Sequence, residues 1–309
     1  FYKDYKSHIL ESRSYIGSTI GLQATPMANT GKAEKRGFDL AVTYNKSLST
    51  GWSFQYRGNV TFAQSKITKR DELLYPDNMN YRYQVGHSVA QSFGLIAERL
   101  FIDENDVANA PTQQFGEYMA GDIKYRDMNG DELITDNDAV PIGYPTSPEL
   151  IYGFGGTTGY KGFDFSFFFQ GSGKSSFFIN PENITPFVRN GGAQNGLLNA
   201  IANDYWSEEN RNIYAFFPRL SDYFVDNNNK QSTWWMRNGE FLRLKNIELG
   251  YNLPRPIADH YKLKSLRLYF NMMNVFTLSN FKMWDVEMGG NGLGYPIQRT
   301  YNFGIQVNF

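Results

Sequence analysis

The feature that most constrains this chain is a strict two-residue alternation of apolar and polar side chains. In the last stretch, "RTYNFGIQVNF", the apolar residues would share one face of a strand and the polar residues the other, because successive strand side chains point to opposite faces. Such a strand suits a soluble sheet with one wet face, or a transmembrane β-barrel with lipid outside and a polar lumen inside. The alternation alone leaves both alternatives open. The apolar residues in question are Tyr301, Phe303, Ile305, Val307 and Phe309.

Six further segments alternate in the same way and predict three antiparallel hairpins, and residues 1–9 are predicted as one more strand. Between Leu244 and Ile247 the alternation slips phase, which indicates a bulge or a strand that leaves the membrane there. "VAQSFGLIAERLF" and "GDIKYRD" would form either an additional hairpin or structure within a loop. The eight predicted strands are residues 1–9, 37–47, 52–66, 149–159, 163–173, 240–253, 265–278 and 300–309.

The connections between these strands decide between the two architectures. Short turns at 48–51, 160–162 and 254–264 alternate along the chain with long connections at 11–36, 68–148, 174–231 and 279–299. Outer-membrane barrels have short periplasmic turns and long extracellular loops, whereas long structureless loops are uncommon in compact soluble domains. We therefore predict an all-β fold, an antiparallel transmembrane β-barrel sector with long extracellular loops, a periplasmic C-terminus and an apolar face in the lipid bilayer.

Composition agrees with this fold and excludes several functions. Aromatic residues make up 17% of a chain with a mean hydropathy of -0.49 and 29 Gly, a pattern typical of short strands with wet loops. A net charge of -1 without a Lys/Arg run argues against nucleic acid as a partner. The absence of Cys excludes disulfides and thiolate chemistry. No nucleophile motif accompanies the 3 His, so we predict that the protein is not an enzyme.

One loop has the spacing of a calcium-binding motif. In "DMNGDELITDND", oxygen ligands at positions 1, 3, 5 and 12 and a backbone carbonyl at position 7 follow the EF-hand pattern. The motif departs from that pattern at position 6, where Glu132 replaces Gly, and at position 12, where Asp replaces Glu. A hydrogen-bonded Asx turn is the alternative. The predicted Ca2+ ligands are Asp127, Asn129, Asp131, Leu133 through its carbonyl, and Asp138.

Aromatic residues in the third long connection are candidates for contact with a substrate or a partner protein. Aromatic side chains at a barrel mouth can stack on sugar rings or contact a covering protein, but packing within the loop is the favoured alternative. The candidates are Trp206, Tyr214, Phe216 and Phe217.

Five segments in this order resemble the C-terminal part of a SusC/RagA-type TonB-dependent outer-membrane transporter. They are "GDIKYRDMNGDELITDNDAVPIG", "YKGFDFSFFFQGSG", "MRNGEFLRLKNIELGYNLP", "NMMNVFTLSNF" and "YPIQRTYNFGIQVNF". The resemblance implies a plugged barrel of about 22 strands, a SusD-like lipoprotein on its outer mouth and energy from the TonB complex. The plug would lie outside residues 1–309, and the opening "FYKDYKSHIL", without an initiator Met, suggests a piece of a longer polypeptide.

These observations lead to two functional hypotheses. The first is TonB-dependent import of a large nutrient, a glycan or an oligopeptide, across the cell outer membrane. The alternative is a surface interaction protein whose barrel anchors calcium-stabilised loops. In outer-membrane proteins generally, a terminal aromatic strand resembles the segment that the barrel-insertion machinery recognises. We therefore expect Phe303, Ile305, Val307 and Phe309 to act as an assembly signal.

Overall fold

The fold is built on one antiparallel sheet of eight long strands, in which every strand pairs with its neighbours in sequence. The computed structural model describes residues 1–12, 21, 26–190 and 193–309. The prediction of an all-β chain is confirmed, and the sheet fits a sector of a barrel. Its strands are β1 (Tyr2–Ser12), β2 (Met27–Ser47), β3 (Trp52–Lys69), β4 (Leu150–Tyr160), β5 (Phe163–Gly173), β6 (Phe241–Asn252), β7 (Ser265–Ser279) and β8 (Thr300–Asn308).

The register of the strands brings the apolar positions onto one face. Phe154 lies opposite Phe169 with ring centroids 5.0 Å apart. Near the other edge, Phe270 lies opposite Phe303 at 4.6 Å. Cross-strand aromatic pairs of this kind stabilise a sheet, and a register slip by one residue would move them all to the other face.

Short turns and long connections emerge from opposite ends of the sheet. Residues 48–51, 161–162 and 253–264 connect strands at one end, where the Lys264 N–H also donates to the Asn308 carbonyl at 2.8 Å. The C-terminus therefore lies at the short-turn end. The connection at 253–264 contains a helix, Arg255–His260, with Pro256 in its first turn, a position that tolerates the missing N–H.

Two local features refine the predicted strands. β2 begins at Met27 rather than residue 37, because its polar first ten residues pair with β1 through backbone hydrogen bonds that need no apolar alternation. The predicted bulge in β6 is confirmed, since the register with both neighbouring strands shifts between Leu244 and Asn246.

Three of the long connections, those that follow β3, β5 and β7, fold together and share a hydrophobic core. Leu95 and Ile123 from one connection pack in the same cluster as Trp235 from the next and Val286 from the last. "VAQSFGLIAERLF" and "GDIKYRD" pair within the loop through Ala97–Leu100 and Ile123–Tyr125, and add no strand to the main sheet. None of the described helices is long and apolar enough to cross a bilayer.

These connections contain only short elements in the part of the chain that the structure describes. The strands are Ser92–Gly94, Ala97–Leu100, Thr112–Gln113, Ile123–Tyr125, Leu133–Ile134, Val140–Ile142, Ser176–Phe178, Arg189–Asn190, Ala193–Gln194 and Met236–Asn238. The α-helices are Glu104–Ala108, Pro181–Ile184 and Asn199–Asn203, and the 3-10 helices are Asp77–Arg82, Asp136–Asp138, Asp226–Asn229 and Val286–Met288.

Candidate functional site

The apolar face of the sheet is exposed across its width. Large apolar side chains of the kind that a protein core normally buries are solvent-exposed on this face, for example on β2, β5 and β8. A contiguous apolar surface of this size exceeds what soluble monomers normally leave in water, and it matches the lipid-facing band of a barrel. Exposed members of the face include Phe38, Leu40, Val42, Phe163, Phe165, Leu249, Leu268, Leu278, Tyr301, Phe303 and Ile305.

The predicted assembly residues lie at one edge of this face. Phe303, Ile305 and Val307 belong to the edge strand β8, and Phe309 follows it. Phe303 is 84% exposed and Phe309 is 81% exposed. They are positioned to contact lipid or another protein, and their role in assembly stays a prediction.

The opposite face of the sheet is polar and carries a charged cluster that spans several strands. The Arg267 Nη2 atom lies 2.7 Å from Asp164 Oδ2 on β5 and 2.7 Å from Glu248 Oε1 on β6. Asn271 Nδ2 donates to the second Glu248 oxygen at 3.5 Å, and Asn302 Nδ2 donates to Asn271 at 2.9 Å. Polar groups are thus linked from β5 to β8 on the side that would line a lumen.

Sequence reasoning missed this cluster as a unit. The strand alternation placed each polar side chain on the correct face, and the β6–β7 register pairs Glu248 with Asn271. However, Arg267 meets Asp164 across 103 residues of chain. No local pattern indicates that contact, although the order of the strands makes it possible.

A buried polar network organises the core of the long connections. The Asp122 carboxylate is fully buried, with one oxygen 2.9 Å from Arg219 Nε. Asn228 Nδ2 donates to the same oxygen at 2.7 Å, and the Met119 N–H donates to the other at 2.9 Å. Burial raises the pKa of Asp122, while the charge of Arg219 opposes that shift. The network joins two separate connections into one folded unit.

The predicted substrate or partner aromatics divide into two groups. Trp206 and Phe217 are buried in the loop core, and Phe216 packs partly buried beside Trp235 with ring centroids 6.3 Å apart. Only Tyr214 of the four candidates projects outward, at 69% exposure. The packing alternative therefore describes Trp206, Phe216 and Phe217 in this structure, while Tyr214 is available for contact with another molecule.

The acidic loop is ordered by its own carboxylates. Asp127 accepts hydrogen bonds from the N–H groups of Gly130 at 2.7 Å and Glu132 at 2.8 Å. Asp131 accepts from the Leu133 N–H at 2.9 Å, and Asn129 accepts from the Asp131 N–H at 3.1 Å. These are the bonds of an Asx-rich turn, so the loop holds its shape through side chain to backbone contacts.

Two further residues define the geometry of this loop. Glu132 at position 6 has φ of 62°, the left-handed conformation for which the EF-hand pattern uses Gly. Asp138 is fully buried and accepts from the Met128 and Thr135 N–H groups, both at 2.8 Å. Among the residues that the structure describes, no three His, Cys, Asp or Glu side chains are grouped closely enough to hold a metal. Calcium binding stays a prediction.

Comparison with known proteins identifies relatives along most of the chain. No protein-family model matches it. A TonB-dependent receptor of Formosa agariphila is 28% identical over 310 residues, which cover 92% of this chain and 30% of the relative. TonB-dependent receptor SusC of Bacteroides thetaiotaomicron is 23% identical over 314 residues, covering 95% of this chain and 28% of the relative. The chain thus spans somewhat under a third of these relatives.

Solved structures share the fold. The RagAB peptide importer in its open-open state aligns with a TM-score of 0.68 at 21% identity, covering 100% of this chain and 32% of that chain. A structure of the RagAB peptide transporter aligns at 0.64 and 21% identity, covering 95% and 31%. The resemblance of this chain to SusC/RagA-type TonB-dependent transporters is thereby confirmed.

Proposed function

We propose that this chain is the C-terminal barrel portion of an outer-membrane transporter that imports a large nutrient. The observation that carries the proposal is the two-faced sheet, with a continuous exposed apolar face and a polar face linked by the Arg267 cluster. A closed barrel satisfies every backbone group in lipid, so such a sheet suits a channel wall. The relatives named TonB-dependent receptors support the same conclusion.

The transport mechanism follows from this arrangement. The lipid-facing residues hold the barrel in the membrane, and the polar face offers a wet path past Asp164, Glu248 and Arg267. Energy would come from TonB through a plug domain outside residues 1–309. In this orientation the short turns and the C-terminus face the periplasm, and the folded long connections face outward.

The substrate is a glycan or an oligopeptide. The fold neighbours are named peptide importers, which favours an oligopeptide, although an identity of 21% supports a common fold rather than a common ligand. The folded connections that follow β3, β5 and β7 are called the loop unit below. A SusD-like lipoprotein would cover the outer surface of this loop unit, where Tyr214 projects. The barrel-insertion machinery would recognise β8, and bound Ca2+ would hold the 127–138 loop beneath the covering protein.

The direct test compares uptake in cells with and without the intact protein. Labelled oligopeptides and labelled oligosaccharides of similar size would be supplied separately, with TonB present or removed. We expect one class to accumulate only when both the protein and TonB are present. Equal accumulation in all strains would contradict import.

A second function is favoured by the loop unit itself. Its shared core and buried Asp122–Arg219 pair make it a small folded body rather than a set of flexible loops. Such a body could bind a partner at the cell surface while the barrel serves only as an anchor. Normal growth on every peptide and glycan together with loss of a surface complex would favour this alternative.

A further inference from the structure

A groove lies on the apolar face at the end nearest the long connections. Its cavity of about 620 Å³ has Leu150 and Tyr152 on one side and Leu242 and Leu278 on the other. β5 contributes Gly171 and Gly173 between these walls, and Tyr152 leans across Gly171, where an added Cβ would lie 2.3 Å from the Tyr152 ring. The Tyr152 ring therefore covers Gly171 and ends the groove there, and its open floor lies over Gly173.

Cations stand at the open end of this groove. Lys174 and Lys282 line it beyond the last apolar residues. Lys174 Nζ lies 5.1 Å from the centroid of the Phe62 ring, and Phe62 belongs to the apolar face through its pairing with Phe38. The ammonium group thus sits on the outward side, at the edge of the band that faces lipid.

A second, polar cavity adjoins the first and shares Lys174 and Tyr144 with it. Its volume is about 480 Å³, and Arg36 and Lys66 line its outer side. In the described part of the chain, none of the ion pairs includes Lys174, Lys282, Arg36 or Lys66. These four cations outnumber the three carboxylates that line the same two cavities, Glu34, Glu149 and Glu240, of which Glu34 lies opposite Lys66.

Two of these carboxylates accept hydrogen bonds from uncharged groups. Glu240 accepts from the Lys174 backbone N–H at 3.0 Å and from Asn238 at 3.3 Å. Glu149 accepts from Gln64 Nε2 at 3.0 Å. These hydrogen bonds hold the two carboxylates at the rim, where neither forms an ion pair with Lys174 or Lys282.

From this arrangement we infer a specific binding site for an anionic lipid of the outer leaflet, which rests on the membrane location in the proposed function. The phosphate of the lipid lies between Lys174 and Lys282, with Arg36 and Lys66 reaching further substituents of the headgroup. The upper part of an acyl chain packs over Gly173, between Leu150 and Leu242. Cations at the membrane boundary attract anionic headgroups, and charge-assisted hydrogen bonds to phosphate are strong.

The test uses the intact protein, purified in detergent and titrated separately with three probes. They are phosphorylated lipid A, lipid A from which the phosphates have been removed, and inorganic phosphate, and binding is read from the rise in Tm and by native mass spectrometry. We expect only the phosphorylated lipid to bind tightly. If inorganic phosphate or the dephosphorylated lipid binds equally well, the inferred site is overturned.

Variants separate the headgroup contacts from the acyl groove. Lys174→Gln with Lys282→Gln should weaken lipid binding at least about tenfold, since each lost contact involves a charged group. Gly173→Leu should also weaken it by filling the floor, and an added Cβ there makes only ordinary contact, 3.4 Å from Leu150. Lys46→Gln with Lys264→Gln, at the short-turn end, is the matched control and should change nothing.

The result is independent of transport. If the double Lys variant does not fold, Lys282→Gln alone tests the same headgroup contact, because Lys282 is exposed in the last long connection. Unchanged lipid affinity in the Lys and Gly173 variants would overturn the proposal. Absence of uptake by the wild-type protein, with lipid binding intact, would instead contradict only the import function, and outer-membrane fractionation checks the location separately.

Discussion

Arg243 on β6 is joined to Asp285 in the last long connection, with Nη2 and Oδ1 2.5 Å apart. The same nitrogen lies 2.9 Å from Glu287 Oε2, and the Arg243 side chain is only 2% exposed. Because the cation is buried and both carboxylates belong to one short segment, this contact holds the segment over the end of the sheet.

Replacement of Arg243 by Met should release that segment. The variant keeps much of the side-chain volume but leaves two carboxylates without their cation, at a cost of about 3 kcal/mol, the lower end for a buried pair because both carboxylates are partly exposed. We expect faster proteolysis within 280–299 and a lower Tm. Arg126→Met is the control, since Arg126 pairs with Glu98 on the surface and should cost less than about 1 kcal/mol. Equal proteolysis in the two variants would argue against the anchoring role.

The loop unit should lose stability in acid through Asp106. Its carboxylate accepts from Arg99 and from Lys124, and the hydrogen bond from Arg99 is the main reason that the pKa of Asp106 lies well below its usual range. A depressed folded pKa contributes stability that is present above the unfolded value of 3.8 and is lost as pH falls through the folded value.

The variant Asp106→Asn isolates this effect from that of Asp122, whose raised pKa acts in the opposite direction. The stability difference between wild type and variant, measured by urea unfolding, should be largest above about pH 4 and shrink below it. A difference that stays constant from neutral pH into acid would exclude Asp106 as the cause.

The orientation of the sheet can be measured by Cys labelling, because the chain contains 0 Cys. Ser49→Cys lies in a short turn, and Tyr214→Cys replaces an exposed side chain of the loop unit. An impermeant thiol reagent on whole cells should label position 214 only, and both positions should react after lysis. Labelling of position 49 on whole cells without labelling of position 214 would show that the sheet has the opposite orientation in the membrane.

Phe309→Ala should affect assembly more than transport. The substitution removes an apolar side chain at the lipid boundary, worth roughly 1.5 to 3 kcal/mol if lipid or protein buries it fully. The yield of folded barrel should fall while the surviving molecules keep their uptake rate. Tyr295→Ala, which removes an equally exposed aromatic from a loop, should leave the yield unchanged. Normal yield with lost uptake would refute an assembly role for Phe309.

Calcium binding by the 127–138 loop predicts that a chelator makes the loop of the wild-type protein protease-sensitive. An affinity on the order of 10⁻⁴ to 10⁻³ M would suffice outside the cell. Asp127→Ala with Asp131→Ala should be sensitive with or without the chelator, since Asp127 also accepts the Gly130 and Glu132 N–H groups. If chelation leaves wild-type proteolysis unchanged, the loop is an Asx turn without a structural cation.

The sequence by itself determined the sheet and the chemistry of its two faces. Alternation has a period of two residues and is a local property, so the eight strands, the exposed Phe163 and Phe303 and the bulge between Leu244 and Asn246 could all be predicted. The alternation of short turns and long connections likewise predicted that the short hairpin turns lie at one end of the sheet.

Only the tertiary structure decided how the long connections fold and which charges meet. Asn228 contacts Asp122 across 106 residues of chain, and Trp206 is buried by side chains from distant segments. Neither contact produces a periodic pattern in the sequence. The groove over Gly173 likewise exists only because Leu150 and Leu242 lie on the two strands that flank β5. Burial and ion pairing depend on neighbours in space, whereas periodic sequence patterns report neighbours in the chain.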